Sequence, residues 1–281
     1  MSGITVNNIT KAYGDVKALD GVSLTLESNR LYGLLGRNGA GKTTLLNIIA
    51  NRVFPDSGEI TIDGEPWVEN AKAQGRLFMM SEENYFEDAM KVCDVFKWMK
   101  EFYPAFDSEN AAKLCDAYEL SAKKKVKSLS TGYGSILKLI CALSVNAPYV
   151  FFDEPVLGLD ANNRDLFYRQ LLEKYSEQGG TYVISTHLIE EVAGVIENIL
   201  IIKKGKLIRA ESRDTLLSSG YTVTGPAALV DSYTAGRQTL GTESLGGLKT
   251  AYVLGGRDAV PDGLEVSGLD LQKLFIQLTN S

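Results

Sequence analysis

The sequence predicts an α/β fold: a mainly parallel sheet covered by helices on both faces, with a small domain appended at its C-terminal end. Three observations lead there. Short continuous apolar runs, Leu31 to Leu35, Tyr149 to Phe152 and Tyr182 to Ser185, have the length of strands buried on both faces. Helical periodicity fills much of the chain between and after them. Past about Ser212 Gly, Ser and Thr dominate, and short strands give way to a final helix over Asp270 to Leu278.

Taken in order, Ile4, Val6 and Ile9, then Val22, Leu24 and Leu26, alternate with polar residues at period two and read as strands. The run Leu31 to Leu35 enters a Gly-rich turn, and from Lys42 onward Leu45, Ile48 and Ile49 share one helical face. Gly58 to Trp67 reads as a hairpin turning at Asp63-Gly64. Between about Glu83 and Leu143 the texture is helical. Ala111, Leu114, Cys115 and Tyr118 lie on one face behind a cap at Asp107 or Ser108. After the strand at Tyr149, a helix from about Ala161 to Gln178 is ended by Gly179-Gly180. A further strand and helix lead to a hairpin from Ile199 to Ile208 that turns at Lys204-Gly205.

Composition narrows the function. The 281 residues carry a net charge of -6, which argues against a general nucleic-acid binder, because such a protein needs a basic face. No window approaches the roughly 20 apolar residues that span a bilayer, and the N-terminus lacks the pattern of a secretory signal, so a chain soluble by itself is expected. Cys93, Cys115 and Cys141 have no metal-ligand spacing, and scattered thiols fit a reducing cytosol.

Two motifs carry chemistry. Gly36-Arg37-Asn38-Gly39-Ala40-Gly41-Lys42-Thr43 follows an apolar strand and opens a helix, the context in which a G-x-x-x-x-G-K-[ST] loop cradles phosphate. Its glycines let successive N–H groups curl around an anion, and the helix adds its positive end. Lys42 supplies a charge for the β- and γ-phosphates, and the Thr43 hydroxyl can ligate Mg2+. The second motif is Asp153-Glu154, which follows a buried strand at the end where open α/β sheets bind ligands. There Asp153 would hold the metal shell and Glu154 would polarise an attacking water. Alone, such a pair is also a common helix cap.

With these motifs in hand, the chain resembles the nucleotide-binding subunit of an ABC transporter over about residues 1 to 210. The resemblance implies a P-loop NTPase core with an antiparallel β subdomain and an α-helical signature subdomain at about 83–145. These make an ATP-binding domain over 1–212, with a small α/β extension or regulatory domain at 213–281. It implies that Gly36 to Thr44 bind nucleotide, with Thr44 following Thr43, and that Tyr13 stacks on adenine. Leu129-Ser130-Thr131-Gly132-Tyr133 resembles the family's signature, whose Ser130 and Gly132 would face the γ-phosphate held by the other subunit. Read by itself, Ser130 is a helix cap. Gly158-Leu159-Asp160 resembles the loop that crosses the dimer interface, and Asp160 also reads as a cap. His187, the single histidine, falls at the γ-phosphate sensor.

The implied cofactors are ATP and Mg2+, held by Thr43, Asp153 and Glu82. The implied partners are an integral-membrane subunit and a second ATPase subunit, in a homodimer or a heterodimer, with no nucleic acid. The implied location is the cytoplasmic face of the cell membrane. The export-type branch is the closest in pattern, with a soluble ABC ATPase, as in iron–sulfur assembly, or a hydrolysis-poor sensor as the alternatives. Three departures stand out. Thr131 and Tyr133 alter the signature. No glutamine lies at Met79 to Glu83, where Glu82, or Ser81 in another register, takes its place. Val156-Leu157 replaces a small polar pair.

Overall fold

The computed structural model describes residues 2–280. Three layers of secondary structure build the first unit, which comprises residues 1–187 and 200–209. Strands β1 (Gly3–Tyr13) and β2 (Val16–Glu27) form a long hairpin, with β3 (Leu31–Leu35) and α1 (Lys42–Ile49) after it. Then come β4 (Ser57–Ile62), β5 (Glu65–Pro66), α2 (Ala71–Gln74) and β6 (Leu77–Met80). A helical segment follows, α3 (Val92–Phe102), α4 (Ser108–Ala117) and α5 (Thr131–Ser144). The core closes with β7 (Tyr149–Asp153), α6 (Ala161–Gln178) and β8 (Thr181–Thr186). Beyond it lie α7 (Ile189–Val192), β9 (Asn198–Lys203) and β10 (Lys206–Ser212).

Two sheets position the site. The six-stranded one runs β10-β9-β3-β8-β7-β6, and its pairs β3–β8, β8–β7 and β7–β6 are parallel. Every residue of β3, β7 and β8 is buried, which explains their unbroken apolar texture. Parallel pairing also brings the C-terminal ends of β3, β6, β7 and β8 to one edge. The second sheet, β2-β1-β4-β5, is antiparallel and alternates inward and outward residues. Ile4, Val6 and Leu24 from it join Leu34, Ile48, Phe151 and Ile202 in one core.

Local sequence sets the helix ends. The Asp107 carboxylate accepts from Asn110 N at 2.8 Å, so Asp107 is the cap of α4 and Ser108 its first residue. Ser130 Oγ accepts from Tyr133 N at 3.3 Å, and Asp160 accepts from Asn163 N at 2.9 Å. Gly179, at φ 68, ends α6.

The second unit comprises residues 188–199 and 210–281. It contains α7 together with α8 (Arg213–Ser218), β11 (Gly220–Pro226), α9 (Ala227–Thr234), β12 (Thr239–Leu245), β13 (Leu248–Leu254), β14 (Glu265–Gly268) and α10 (Leu271–Asn280). Its sheet, β12-β13-β11-β14, is antiparallel, and Gly246-Gly247 supplies the two positive φ angles of the β12–β13 turn. Val223, Val230, Tyr233, Ala251 and Val253 form its own core. Among the described residues no helix is long and apolar enough to cross a membrane.

Candidate functional site

A cleft of about 860 Å³ opens at the sheet edge where β3, β7 and β8 end. Its floor is the turn between β3 and α1. Asn38, Gly39, Ala40, Gly41, Lys42, Thr43 and Thr44 all line it. The turn is bent by Gly39 at φ 77 and Gly41 at φ 110. At Gly41 the geometry demands glycine for a second reason, since a Cβ there would sit 2.5 Å from Ala18 O and 2.9 Å from Leu19 Cδ2. Struts hold the turn in place: Ala40 N donates to Arg37 O, Gly205 N to Ala40 O and Asp20 N to Gly205 O. No side chain caps α1, so its first N–H groups are left for the cleft.

Charged residues from distant parts of the sequence converge above this floor. Lys42 is buried, and its Nζ donates to Gly36 O at 2.7 Å and lies 3.5 Å from Glu154 Oε1. Glu154 adopts φ 48, an uncommon conformation for a glutamate, and its N donates to Ser185 O at 2.8 Å. That backbone aims its carboxylate between Lys42, Thr186 and His187. Thr186 Oγ1 donates to Oε2 at 3.2 Å, and His187 Nδ1 lies 3.0 Å from both carboxylate oxygens.

Asp153, the last residue of β7, is 3% exposed. Burial raises its carboxyl above the usual aspartate range; the Ser185 and Thr43 hydroxyls partly offset this, Glu154 adds to it, and Lys42 opposes it. Asp153 Oδ1 makes no hydrogen bond of good geometry, and neither does Ser185 Oγ, which acts on the carboxylate only as a neighbouring hydroxyl. An orphaned, buried carboxylate oxygen beside the Thr43 hydroxyl is a donor set that suits a hard cation sharing phosphate oxygens, and Mg2+ fits it. Among the described residues no group of three or more His, Cys, Asp and Glu is set to hold a metal without such a ligand.

The remaining residues singled out in the sequence fall into two groups. Glu82 lines the cleft beside Ser81 and Glu83, in the turn after β6. Gly36 and Arg37 lie at the entrance of the phosphate loop, which they hold through their carbonyls. Tyr13, Ser130, Gly132 and Asp160 do not line the cleft. Tyr13 is half exposed at the end of β1, with Lys11 Nζ 5.6 Å from its ring, and it pairs with Val16, which does line the cleft. Ser130 and Gly132 open α5, and a Cβ on Gly132 would lie 3.4 Å from Gly158 O, so the signature turn and the Gly158-Leu159-Asp160 loop adjoin.

The sequence reading missed several cleft residues, among them Val16, Ala18, Asn47, Leu157 and Lys204. Leu157 had a signal in the Val156-Leu157 departure: Val156 turns into the core, while Leu157 is 45% exposed on the cleft wall. Arg52 and Lys138, which hold the Glu82 turn, carried none.

Comparison with known proteins places the chain. A family model described as ABC transporter matches residues 19–157. The ABC transporter ATP-binding protein YtrB of Bacillus subtilis is 30% identical over 213 residues, covering 76% of this chain and 73% of its own length. An uncharacterized ABC transporter ATP-binding protein of Methanocaldococcus jannaschii, MJ1023, is 34% identical over 212 residues, covering 73% and 76%. A solved dimeric ATP-binding cassette in a post-hydrolysis state, bound to ADP and Pi, superposes with a TM-score of 0.67 at 25% identity, covering 75% of this chain and 98% of that one. Other relatives carry names for both directions, Nod factor export in Burkholderia orbicola and ribose import in Lacticaseibacillus paracasei. The α/β P-loop fold foreseen from the sequence is thus the fold of known cassettes, and the chain belongs to the ATP-binding proteins of the ABC transporter family.

Proposed function

We propose that this chain binds ATP with Mg2+ in the cleft and hydrolyses it as one half of an ATPase dimer that drives export through a separate membrane subunit. One observation carries the reading: Lys42 from the phosphate loop and Glu154 from the end of β7 meet at 3.5 Å, with His187 at 3.0 Å from the same carboxylate. In this reading residues 36–44 wrap the triphosphate, Lys42 takes the β- and γ-phosphate charge, and Tyr13 stacks on the base. Thr43 and Asp153, with Glu82 on the cleft wall, would hold Mg2+, which when bound would neutralise charge on the phosphate oxygens. Glu154 accepts a proton from the attacking water, and His187 and Thr186 fix its orientation.

Ser130 and Gly132 lie outside their own cleft, which supports their service to a partner's nucleotide, with Asp160 beside them. ATP binding then favours the closed dimer, and loss of the γ-phosphate releases it. Export is the direction adopted. The relative named for Nod factor export aligns with 77% of this chain and 73% of its own length, whereas this chain spans 43% of the relative named for ribose import. The ATP-binding domain, expected over 1–212, works at the cytoplasmic face of the membrane in this reading, and 213–281 is a small extension or regulatory domain that, in the compact units of the fold, also takes in residues 188–199 and 210–212.

Glu154→Gln tests the reading. The variant should bind ATP as the wild type does, form an ATP-dependent dimer, and lose at least about 10²-fold in turnover, the usual contribution of a general base. Phosphate release at the wild-type rate would falsify the role given to Glu154.

A further inference from the structure

The cleft wall formed by Ser81, Glu82, Glu83 and Tyr85 is gripped by two cations, one just past α1 and one within α5. Arg52, just beyond α1, donates to Met79 O at 2.8 Å, to Ser81 Oγ at 3.2 Å and to Tyr85 OH at 3.4 Å, and its guanidinium lies 4.7 Å from the Tyr85 ring. From the other side Lys138 of α5 reaches in. Its Nζ donates to the carbonyls of Ser81 at 2.8 Å and Glu82 at 2.5 Å.

Lys138 is an unusual choice for its place. It is half-buried, and its neighbours along the chain, Ile136, Leu137, Leu139, Ile140 and Cys141, are all buried. An apolar residue would pack there without a desolvation cost, so the ammonium is explained by what it touches. It satisfies two carbonyls of a turn that leaves the sheet, and it brings a positive charge close to Glu82, an acidic residue on the cleft wall. It is also eight residues from Ser130, about 12 Å along a continuous helix. The backbone of Glu82 and the signature turn are therefore fastened to one rigid rod.

We propose that Lys138 is the positioning residue for Glu82: it fixes the backbone from which Glu82 faces the cleft, balances that carboxylate's charge beside the triphosphate, and ties both to the signature helix. This role rests on the reading of the cleft as an ATP site. It also accounts for how a carboxylate can stand where the resemblance leads one to expect a neutral glutamine.

A double-mutant cycle on the full chain tests it, with ATPase kcat, KM for MgATP and thermal midpoint measured for wild type, Lys138→Met, Glu82→Gln, the double variant and Lys138→Arg. Lys138→Met keeps most of the unbranched stem and removes the ammonium. It should lower kcat about tenfold, the scale of one lost charge-assisted hydrogen bond, with the thermal midpoint falling by only about 2–4 °C for a carbonyl left unsatisfied and the assay run well below it. In the Glu82→Gln background the same change should cost no more than about twofold, because no unbalanced carboxylate remains. Lys138→Arg should restore most of the loss. Equal losses in both backgrounds, no loss at all, or a loss that follows the thermal midpoint would overturn the role. A wild-type chain without ATPase activity would instead overturn the reading of the cleft, and this role with it.

Discussion

Asp153→Asn is expected to stabilise this protein while disabling it. Asp153 is 3% exposed, its Oδ1 makes no hydrogen bond of good geometry, and burial is the largest influence on its ionisation. A buried polar group left unsatisfied costs about 1–3 kcal/mol. Asparagine keeps the shape, carries no charge to desolvate, and offers an N–H to Ser185 Oγ, the neighbouring hydroxyl that makes no hydrogen bond of good geometry to the carboxylate. Recovering about 1 kcal/mol should raise the melting temperature of the nucleotide-binding unit by about 2–4 °C, given its size of roughly 200 residues.

The pH dependence has a definite sign. The folded carboxyl is raised above 3.8, so between that value and the raised one the folded state binds more protons than the unfolded. Stability from this group is therefore greatest at low pH and is lost as pH rises through the folded pKa. The variant's advantage should be largest near pH 8 and should shrink as pH falls, because protonated aspartic acid is as neutral as asparagine. Differential scanning calorimetry of both chains without nucleotide, stepped from pH 8 towards the unfolded value of 3.8, reads this directly. With MgATP added, the wild type should gain stability by linkage, and the variant should lose the part that depends on the metal. A variant that melts below the wild type at pH 8, or a gap indifferent to pH, would refute the reasoning.

Two further predictions use the glycines and the thiols. Gly41→Ala must shift either the Ala18 carbonyl or its own backbone, so it should lower stability by about 1–3 kcal/mol and weaken ATP binding. Gly134, inside α5 with nothing within 4 Å of the place a Cβ would take, makes the control: Gly134→Ala should raise stability by about 0.5–1 kcal/mol, both changes being read by chemical denaturation. Burial pushes the Cys115 thiol up to about 11 and raises Cys141 as well, whereas Cys93 is part-exposed. A thiol-disulfide titration of the native chain should therefore modify Cys93 alone, with Cys115 and Cys141 reacting only on unfolding.

What the sequence discloses follows from where burial is uniform. Strands β3, β7 and β8 are covered on both faces, so their residues are apolar without a break and stand out at once. Helix caps are equally legible, because Asp107, Ser130 and Asp160 act on backbone three residues away. The phosphate loop is a local device as well. Residues whose meaning depends on a distant partner stay hidden. Lys138 touches carbonyls 57 and 56 positions away, and a lone lysine in a helical run carries no mark of that. Arg52 is the same case. In the C-terminal unit β12 is exposed along most of its length, so no alternation reveals its pairing with β13, and only the Gly246-Gly247 turn hints at the hairpin.

The proposed chemistry also explains why Glu154 is held by three groups at once. Lys42 divides its ammonium between Gly36 O and Glu154, in a setting that screens charge poorly. A triphosphate presents a denser negative charge than one carboxylate, so it draws Lys42 towards itself and leaves Glu154 without its cation. The carboxylate keeps its orientation only because Thr186 and His187 continue to hold it and because its own backbone is fixed at φ 48 through the bond from Glu154 N to Ser185 O. The contact with Lys42 is thus the one hold on Glu154 that a triphosphate would compete for, and the bonds from Thr186, His187 and Ser185 are the ones that would keep its carboxylate aimed while nucleotide is bound.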